Sequence, residues 1–260
     1  TRPFVSSEFY KIIYKKGFYF KKTLFFLQSC IKRFFDIFKA LKSDIIFIHL
    51  EAFPLGPALF EFILYKAGKK IIYDLDDAIY MGRTSPANTF LKCLKSPSKV
   101  KNILKMSDYV ITCNAYLADY AKKYNKNVTV IPTSVDTGKF LPEHRIPNPE
   151  NKHNVTIGWI GSHTTVVYLD ELKNVFHQLA HKYKFNLKII GAGNFYLKDP
   201  NINVINLDWD LETEIRHLQS FDIGVYPLPD NEWTLGKTGF KTIQYMSVGV
   251  PCVVSFVGTN

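Results

Sequence analysis

Several things are scarce or missing from this chain, and each absence removes a class of protein. No apolar run approaches the roughly 18 residues of a membrane-spanning helix. No stretch has the charged, apolar and small-residue order of a secretory leader. Cysteine is sparse: Cys30, Cys93, Cys113 and Cys252 stand apart, and none forms a CxxC pair. That excludes a disulfide scaffold and points to free thiols in a reducing compartment, so the expected location is cytoplasmic. Internal repeats and low-complexity tracts are also lacking. Acidic residues are nearly absent from the front: residues 1–43 hold ten Lys or Arg against only Glu8 and Asp36. This segment carries +8 of the formal net charge of +10 and leaves the remainder almost balanced. A charge so localised weakens any reading as a general nucleic-acid binder.

What remains is enough chain for two domains: 260 residues, 47% hydrophobic and 22% charged. Short apolar runs rich in β-branched residues recur: 44–50, 70–74, 109–113, 128–131, 155–160, 187–190, 203–207, 222–226 and 252–255. Such runs suit strands covered on both faces. Helical patterns fall between them at 57–67, 98–106, 115–124, 167–183, 211–219 and 237–248. Strict alternation predicts doubly wound parallel sheets. The stretch 141–153 (LPEHRIPNPENKH) has three prolines and little apolar content, so the domain boundary is expected near residue 145. The chain begins at Thr1 and stops just after an apparent strand. It is therefore expected to be a fragment cut at both ends, lacking the first strand of one domain and the last part of the other.

In open parallel sheets ligands bind beyond the carboxyl ends of the strands. The richest such position is 227–255 (PLPDNEWTLGKTGFKTIQYMSVGVPCVVS). Lys237, Lys241 and Gln244 recur there at i, i+4 and i+7 and would share one helical face. A helix beginning near Gly236–Thr238 would aim backbone N–H groups and its positive dipole end at an anion, and the two lysines would add full charge. Gly236 and Gly239 would let a diphosphate approach the backbone. A pair of merely solvated lysines on a helix is the plainer alternative.

This stretch resembles the nucleotide-sugar site of family 4 retaining glycosyltransferases, which have the GT-B fold. The form Gly-Lys-x-Gly-Phe-Lys-x-x-Gln-Tyr-Met and the run Gln244–Pro251 carry the resemblance. The order and spacing of elements extend it over nearly the whole chain. It implies two Rossmann-like domains facing a cleft, with residues 1–145 on the acceptor side and 146–260 binding the nucleotide sugar. It also implies an enzyme, a glycosyltransferase moving a sugar from a nucleotide-diphosphate donor to a glycan or lipid-linked acceptor with retention, and without a metal or resident cofactor. Gln244 stands where the family has a ribose-binding Glu, and Gly236 stands where the family has its other Glu. The cations that the family carries after its first glycine are absent near Trp159 and Thr164, so Lys237 and Lys241 are expected to supply the charge.

Further positions follow from the same resemblance. Gly161, Ser162 and His163 would meet phosphates or sugar, Gly191-Ala192-Gly193 matches a Gly-x-Gly turn, and Asp208-Trp209 lies where the nucleobase is read. Asp230, Asn231 and Glu232 would hold sugar hydroxyls or simply be solvated. Thr238, Gly239 and Phe240 complete the donor-binding set. In the first domain Asp76 and Asp77 stand where the family often has a histidine. They are the candidate catalytic pair, with helix capping and metal binding as alternatives. Glu51 is a candidate acceptor contact, His49 is expected to be a packed strand residue, and Asp136 is expected to cap or orient the interdomain link. The interleaved aromatics and lysines of 9–42 suit either an anionic membrane surface or an ordinary helix packed by its aromatic face, and nucleic acid is not expected. A nucleotide-sugar epimerase and a non-catalytic nucleotide-sugar-binding protein stand beside the transferase as alternatives.

Overall fold

The structure is a computed structural model that describes residues 2–13, 17–82, 96, 98–142 and 154–260. It divides into two compact units, Thr1–Pro132 and Thr133–Asn260. The boundary expected near residue 145 lies outside the described residues, as does Cys93.

The first unit opens with helices α1 (Ser7–Ile13) and α2 (Tyr19–Ala40), where a single basic amphipathic segment was expected. Gly17 and Phe18, both at positive φ, precede the second helix. There follow β1 (Ile45–His49), α3 (Leu59–Lys66), β2 (Lys70–Leu75), α4 (Lys99–Met106), β3 (Tyr109–Thr112), α5 (Ala115–Lys122) and β4 (Val128–Val130). The four strands pair in parallel in the order β1-β2-β3-β4. Ile71, Tyr73, Leu75, Val110 and Thr112 point into a buried face. Burial along β2 and β3 alternates, however, and Ile45 and Phe47 on β1 are each 59% exposed. The expectation of strands covered on both faces therefore does not hold here among the described residues.

Helix α2 is likewise turned partly outward. Ser29 and Asp36 are buried beside Ile37, whereas Phe20, Leu24, Leu27, Ile31, Phe34 and Phe38 are exposed. The helix is thus not packed by its whole aromatic face. No helix among the described residues is long and apolar enough to cross a membrane.

The second unit contains β5 (Val155–Ile160), α6 (Lys173–Ala180), β6 (Phe185–Ile190), β7 (Ile202–Leu207), α7 (Glu214–Gln219), β8 (Ile223–Tyr226), α8 (Glu232–Leu235), α9 (Phe240–Ser247) and β9 (Cys252–Val254). Its five parallel strands run in the order β7-β6-β5-β8-β9. The chain winds outward from β5 through β6 to β7, then returns to the other side of β5. The order reverses between β5 and β8, and such a switch point is where an open α/β sheet offers a crevice to ligands. Here β5 is buried along nearly its whole length, as a strand covered on both faces should be. Ile157, Phe176, Phe185, Leu187 and Ile189 build one core, and Phe221, Tyr226, Tyr245, Val248 and Val250 build another.

Candidate functional site

At the switch point β5 and β8 pair only through Ile157 with Ile223 and Gly158 with Gly224, whereas β5 and β6 stay in register over six positions. Beyond the Gly158–Gly224 pair a side chain replaces the ladder. The Tyr245 hydroxyl, reaching in from α9, donates to Val225 O (3.3 Å) and accepts from Ile160 N (3.3 Å). The glycines make room: a Cβ on Gly224 would lie 2.6 Å from the Tyr245 ring, and one on Gly158 would lie 2.1 Å from Phe221. Burial pushes the Tyr245 phenol far up from its ordinary pKa, so it remains a neutral hydrogen-bonding group.

One turn earlier on α9, Lys241 extends over the same strand ends. Its Nζ lies 4.6 Å from the Tyr226 ring centroid, at the end of β8, and 5.8 Å from that of Trp159, near the end of β5. The helix starts at Gly239, which takes φ 68° and serves as an N-cap without a side-chain cap bond. Phe240 N donates to Thr238 Oγ1 (3.3 Å). The site therefore offers a helix amino end and a lysine, held by aromatic faces, at the switch point of the sheet.

The helix begins later than expected, and this corrects one geometric expectation. Lys237 is not on the helix, so it does not share a helical face with Lys241 and Gln244. It follows the short α8, its N–H donates to Thr234 O (3.0 Å), and its Nζ lies 4.8 Å from the Trp233 ring centroid. The cause is local. Asn231 and Thr234 form a reciprocal capping box that nucleates α8, and left-handed Gly239 then restarts the chain as α9. Asn231 is thus a helix cap, and Glu232 is an exposed residue in the first turn of α8. Asp230 is also exposed.

Three loops converge beyond β5, β6 and β7. A Cβ on Gly161 would sit 2.3 Å from the Trp159 ring, and one on Gly191 (φ 80°) would sit 2.3 Å from Gly161 O and 3.1 Å from the Trp209 Cβ. A Cβ on Gly193 would meet the His163 ring at 2.7 Å. These glycines let the two turns touch. Ser162 Oγ bonds Thr164 Oγ1 (2.9 Å), and Ser162 N donates to Thr165 Oγ1 (3.1 Å), fixing a small hydroxyl cluster. Asp208 and Trp209 are exposed just after β7.

Gln244, expected to reach ribose hydroxyls, is only 3% exposed, and its Nε2 donates to Glu214 Oε1 (3.0 Å). Sequence reasoning did not single out Glu214. It lies 30 residues away on α7, and no local pattern ties it to Gln244.

In the first unit Asp76 and Asp77 are half-buried just beyond β2. Neither is the cap residue of the following 3-10 turn, a position taken by Ala78. His49 is the surprise. It is not packed: its side chain is 52% exposed, and its Nδ1 lies 2.8 Å from Asp74 Oδ2. The bond to Asp74, with Asp76 and Asp77 nearby, raises its pKa. The same two acids join burial in pushing the Cys113 thiol up to about 12. Glu51 is paired with the nearly buried Lys99 (2.9 Å), which also donates to Phe53 O. Asp136 closes a turn by accepting from Gly138 N (3.0 Å).

No protein-family model matches the chain, and no curated protein sequence matches it either. Solved structures do match its fold. A sucrose-phosphate synthase from Thermosynechococcus elongatus superposes with a TM-score of 0.55 at 12% identity, covering 92% of this chain and 62% of its own. A trehalose-6-phosphate synthase studied for glycosyl transfer with retention gives 0.56 at 15% identity, covering 90% of this chain and 65% of its own. A UDP-forming trehalose-phosphate synthase from Burkholderia xenovorans gives 0.56 at 13% identity, covering 98% and 72%. The chain thus spans less than two thirds of the first two. At these identities the likeness establishes the fold, that of GT-B glycosyltransferases.

Proposed function

We propose that the chain is part of a retaining glycosyltransferase of the family 4 type, which takes a sugar from a nucleotide-diphosphate donor bound on the second unit. The observation that supports this reading is the position of Lys241. A cation beside a helix amino end, at the switch point of a parallel sheet, is what a departing diphosphate needs. Lys237 and the glycine turn at Gly161–Ser162 are proposed to add charge, hydroxyl and backbone groups to the same donor. Gly191, Asp208, Glu232, Thr238, Gly239 and Phe240 are proposed to border that donor.

In the reaction the bond from the anomeric carbon to the donor phosphate oxygen breaks, and a bond to an acceptor hydroxyl oxygen forms. The electron pair leaves with the diphosphate, whose growing negative charge Lys241 and the helix end stabilise. The acceptor proton passes to the departing phosphate on the same face. Asp76 and Asp77 of the first unit are proposed to hold acceptor or sugar and to stabilise positive charge at the anomeric carbon.

The acceptor is a glycan or a lipid-linked glycan. The outward apolar face of α2 supports a lipid-linked one, because exposed Lys21, Lys32 and Lys39 accompany it and suit an anionic surface. Sedimentation with anionic vesicles checks this part alone, and failure to sediment would remove it.

The donor site is tested by calorimetry with the diphosphates of uridine, guanosine, adenosine and thymidine. At least one should bind, and Lys241→Ala should weaken it about tenfold or more, the loss expected for a charge-assisted hydrogen bond of about 1.5–3 kcal/mol. Turnover is tested by mass detection of released nucleotide from a panel of nucleotide sugars with membrane extract. Unchanged diphosphate affinity in Lys241→Ala would overturn the site assignment. Binding without any release would leave a non-catalytic binding protein instead.

A further inference from the structure

We infer that Glu214, rather than Gln244, presents the hydrogen-bond acceptor that reads the ribose diol of the bound nucleotide. The inference rests on the donor-site reading above. Its starting point is the commitment of Gln244. That side chain is 97% covered, and its amide nitrogen is spent on Glu214 Oε1 at 3.0 Å. On a side chain so covered, the only acceptor left for two vicinal hydroxyls is the single carbonyl oxygen of the amide. The carboxylate that receives the bond is different. Glu214 is only partly buried and opens α7 just after the β7 loop, on the carboxyl side of the sheet.

Spacing then ties Glu214 to the diphosphate locus. Lys241 and Gln244 are three apart on α9, so they neighbour one another on one face about 5–6 Å apart. Glu214 lies one hydrogen bond beyond Gln244. The lysine and the carboxylate are thus linked through Gln244, no further apart than about a helical turn plus a hydrogen bond and the side chains that span it. This order matches a nucleoside diphosphate, with its anion at one end and a cis-diol several ångströms along. A carboxylate accepts from both hydroxyls of a diol with its two oxygens, which a buried amide cannot do. Gln244 then acts as a positioning residue, holding one carboxylate oxygen so that the group is presented in a fixed orientation.

The test uses the full chain and the tightest-binding diphosphate of the four named above, alongside its 2′,3′-dideoxy analogue. The wild-type chain should prefer the ribose form by at least tenfold. Glu214→Gln should bring that ratio to within about threefold while leaving affinity for the dideoxy analogue unchanged. A merely structural role for Glu214 would instead weaken both ligands alike. Glu214→Asp, which shortens the reach by one methylene, should lower the ratio too, and it serves if Glu214→Gln misfolds by circular dichroism. An unaltered ratio in a folded Glu214 variant would overturn the inference while leaving the donor site standing. A ratio that collapses in Gln244→Ala but not in Glu214→Gln would return the role to Gln244. If no diphosphate binds the wild-type chain, the functional reading falls and this inference falls with it.

Discussion

Replacing Tyr245 by Phe removes a single oxygen atom and should destabilise the second unit by about 1–3 kcal/mol, the cost of leaving a buried polar group unpaired. The hydroxyl accepts from Ile160 N on β5 and donates to Val225 O on β8, beyond the point where direct pairing of the strands stops. The residue is completely buried, so water cannot take over the role. Truncation to Ala should cost more, about 3–5 kcal/mol, because it also leaves a ring-sized cavity. The assay is favoured by composition. The chain has three tryptophans, Trp159, Trp209 and Trp233, and all lie in the second unit. Tryptophan fluorescence during urea unfolding therefore follows this unit and not the first. Trp159 is 1% exposed and is the natural reporter. The exposed Tyr183 (63%) provides the control, and its change to Phe should stay within about 0.5 kcal/mol. If Tyr245→Phe also stays within that range, the hydroxyl does not bridge the strands and the account of the switch point is wrong.

Gly161→Ala should destabilise the same unit by about 1–3 kcal/mol through overpacking, because the added methyl would lie 2.3 Å from the Trp159 ring; the same urea titration reads it, and diphosphate affinity should fall with it. In the first unit the raised pKa of His49 sets a pH dependence of known sign. Its contribution to stability is fully present below the ordinary histidine pKa of about 6.5 and is lost as pH rises through the higher folded value. Asp74→Asn should flatten the melting temperature of that unit across this window, measured by circular dichroism, and a slope unchanged from wild type would contradict the pairing.

Much of the fold was legible because its signals are local. Each of the nine described strands lies at an expected run, with ends shifted by a residue or two. The glycines at 161, 191 and 193 were readable as turns, and they prove to be contact points between turns. The start of α9 was misread for a reason also present in the sequence. Asn231-x-x-Thr234 is a capping signal for a separate short helix, and glycine at 239 is where a chain can reverse into the left-handed region. Counting Lys237 as i and Lys241 as i+4 assumed one continuous helix through that glycine. His49 was misjudged because an apolar strand was assumed to be covered on both sides, whereas β1 presents Ile45, Phe47 and His49 on an open face. The Gln244–Glu214 bond could not be read at all, since it joins two helices through tertiary packing alone.

These points meet in α9, where residues one turn apart serve different ends. Tyr245 binds the strands at the switch point, Lys241 covers the ends of those same strands, and Gln244 anchors a carboxylate from the neighbouring helix. On the proposed donor site, packing and ligand chemistry would therefore share one rigid support, as a site that must hold its charges within a fraction of an ångström requires. It follows that the two kinds of substitution should separate cleanly. Changing Lys241, whose Nζ rests on ring faces rather than within the core, should alter ligand affinity more than stability. Changing Tyr245 should lower both together, because the strand ends that carry the site would lose the bond that fixes their separation. A Tyr245→Phe chain that loses stability but binds diphosphate as tightly as wild type would show that the site lies elsewhere than at this switch point.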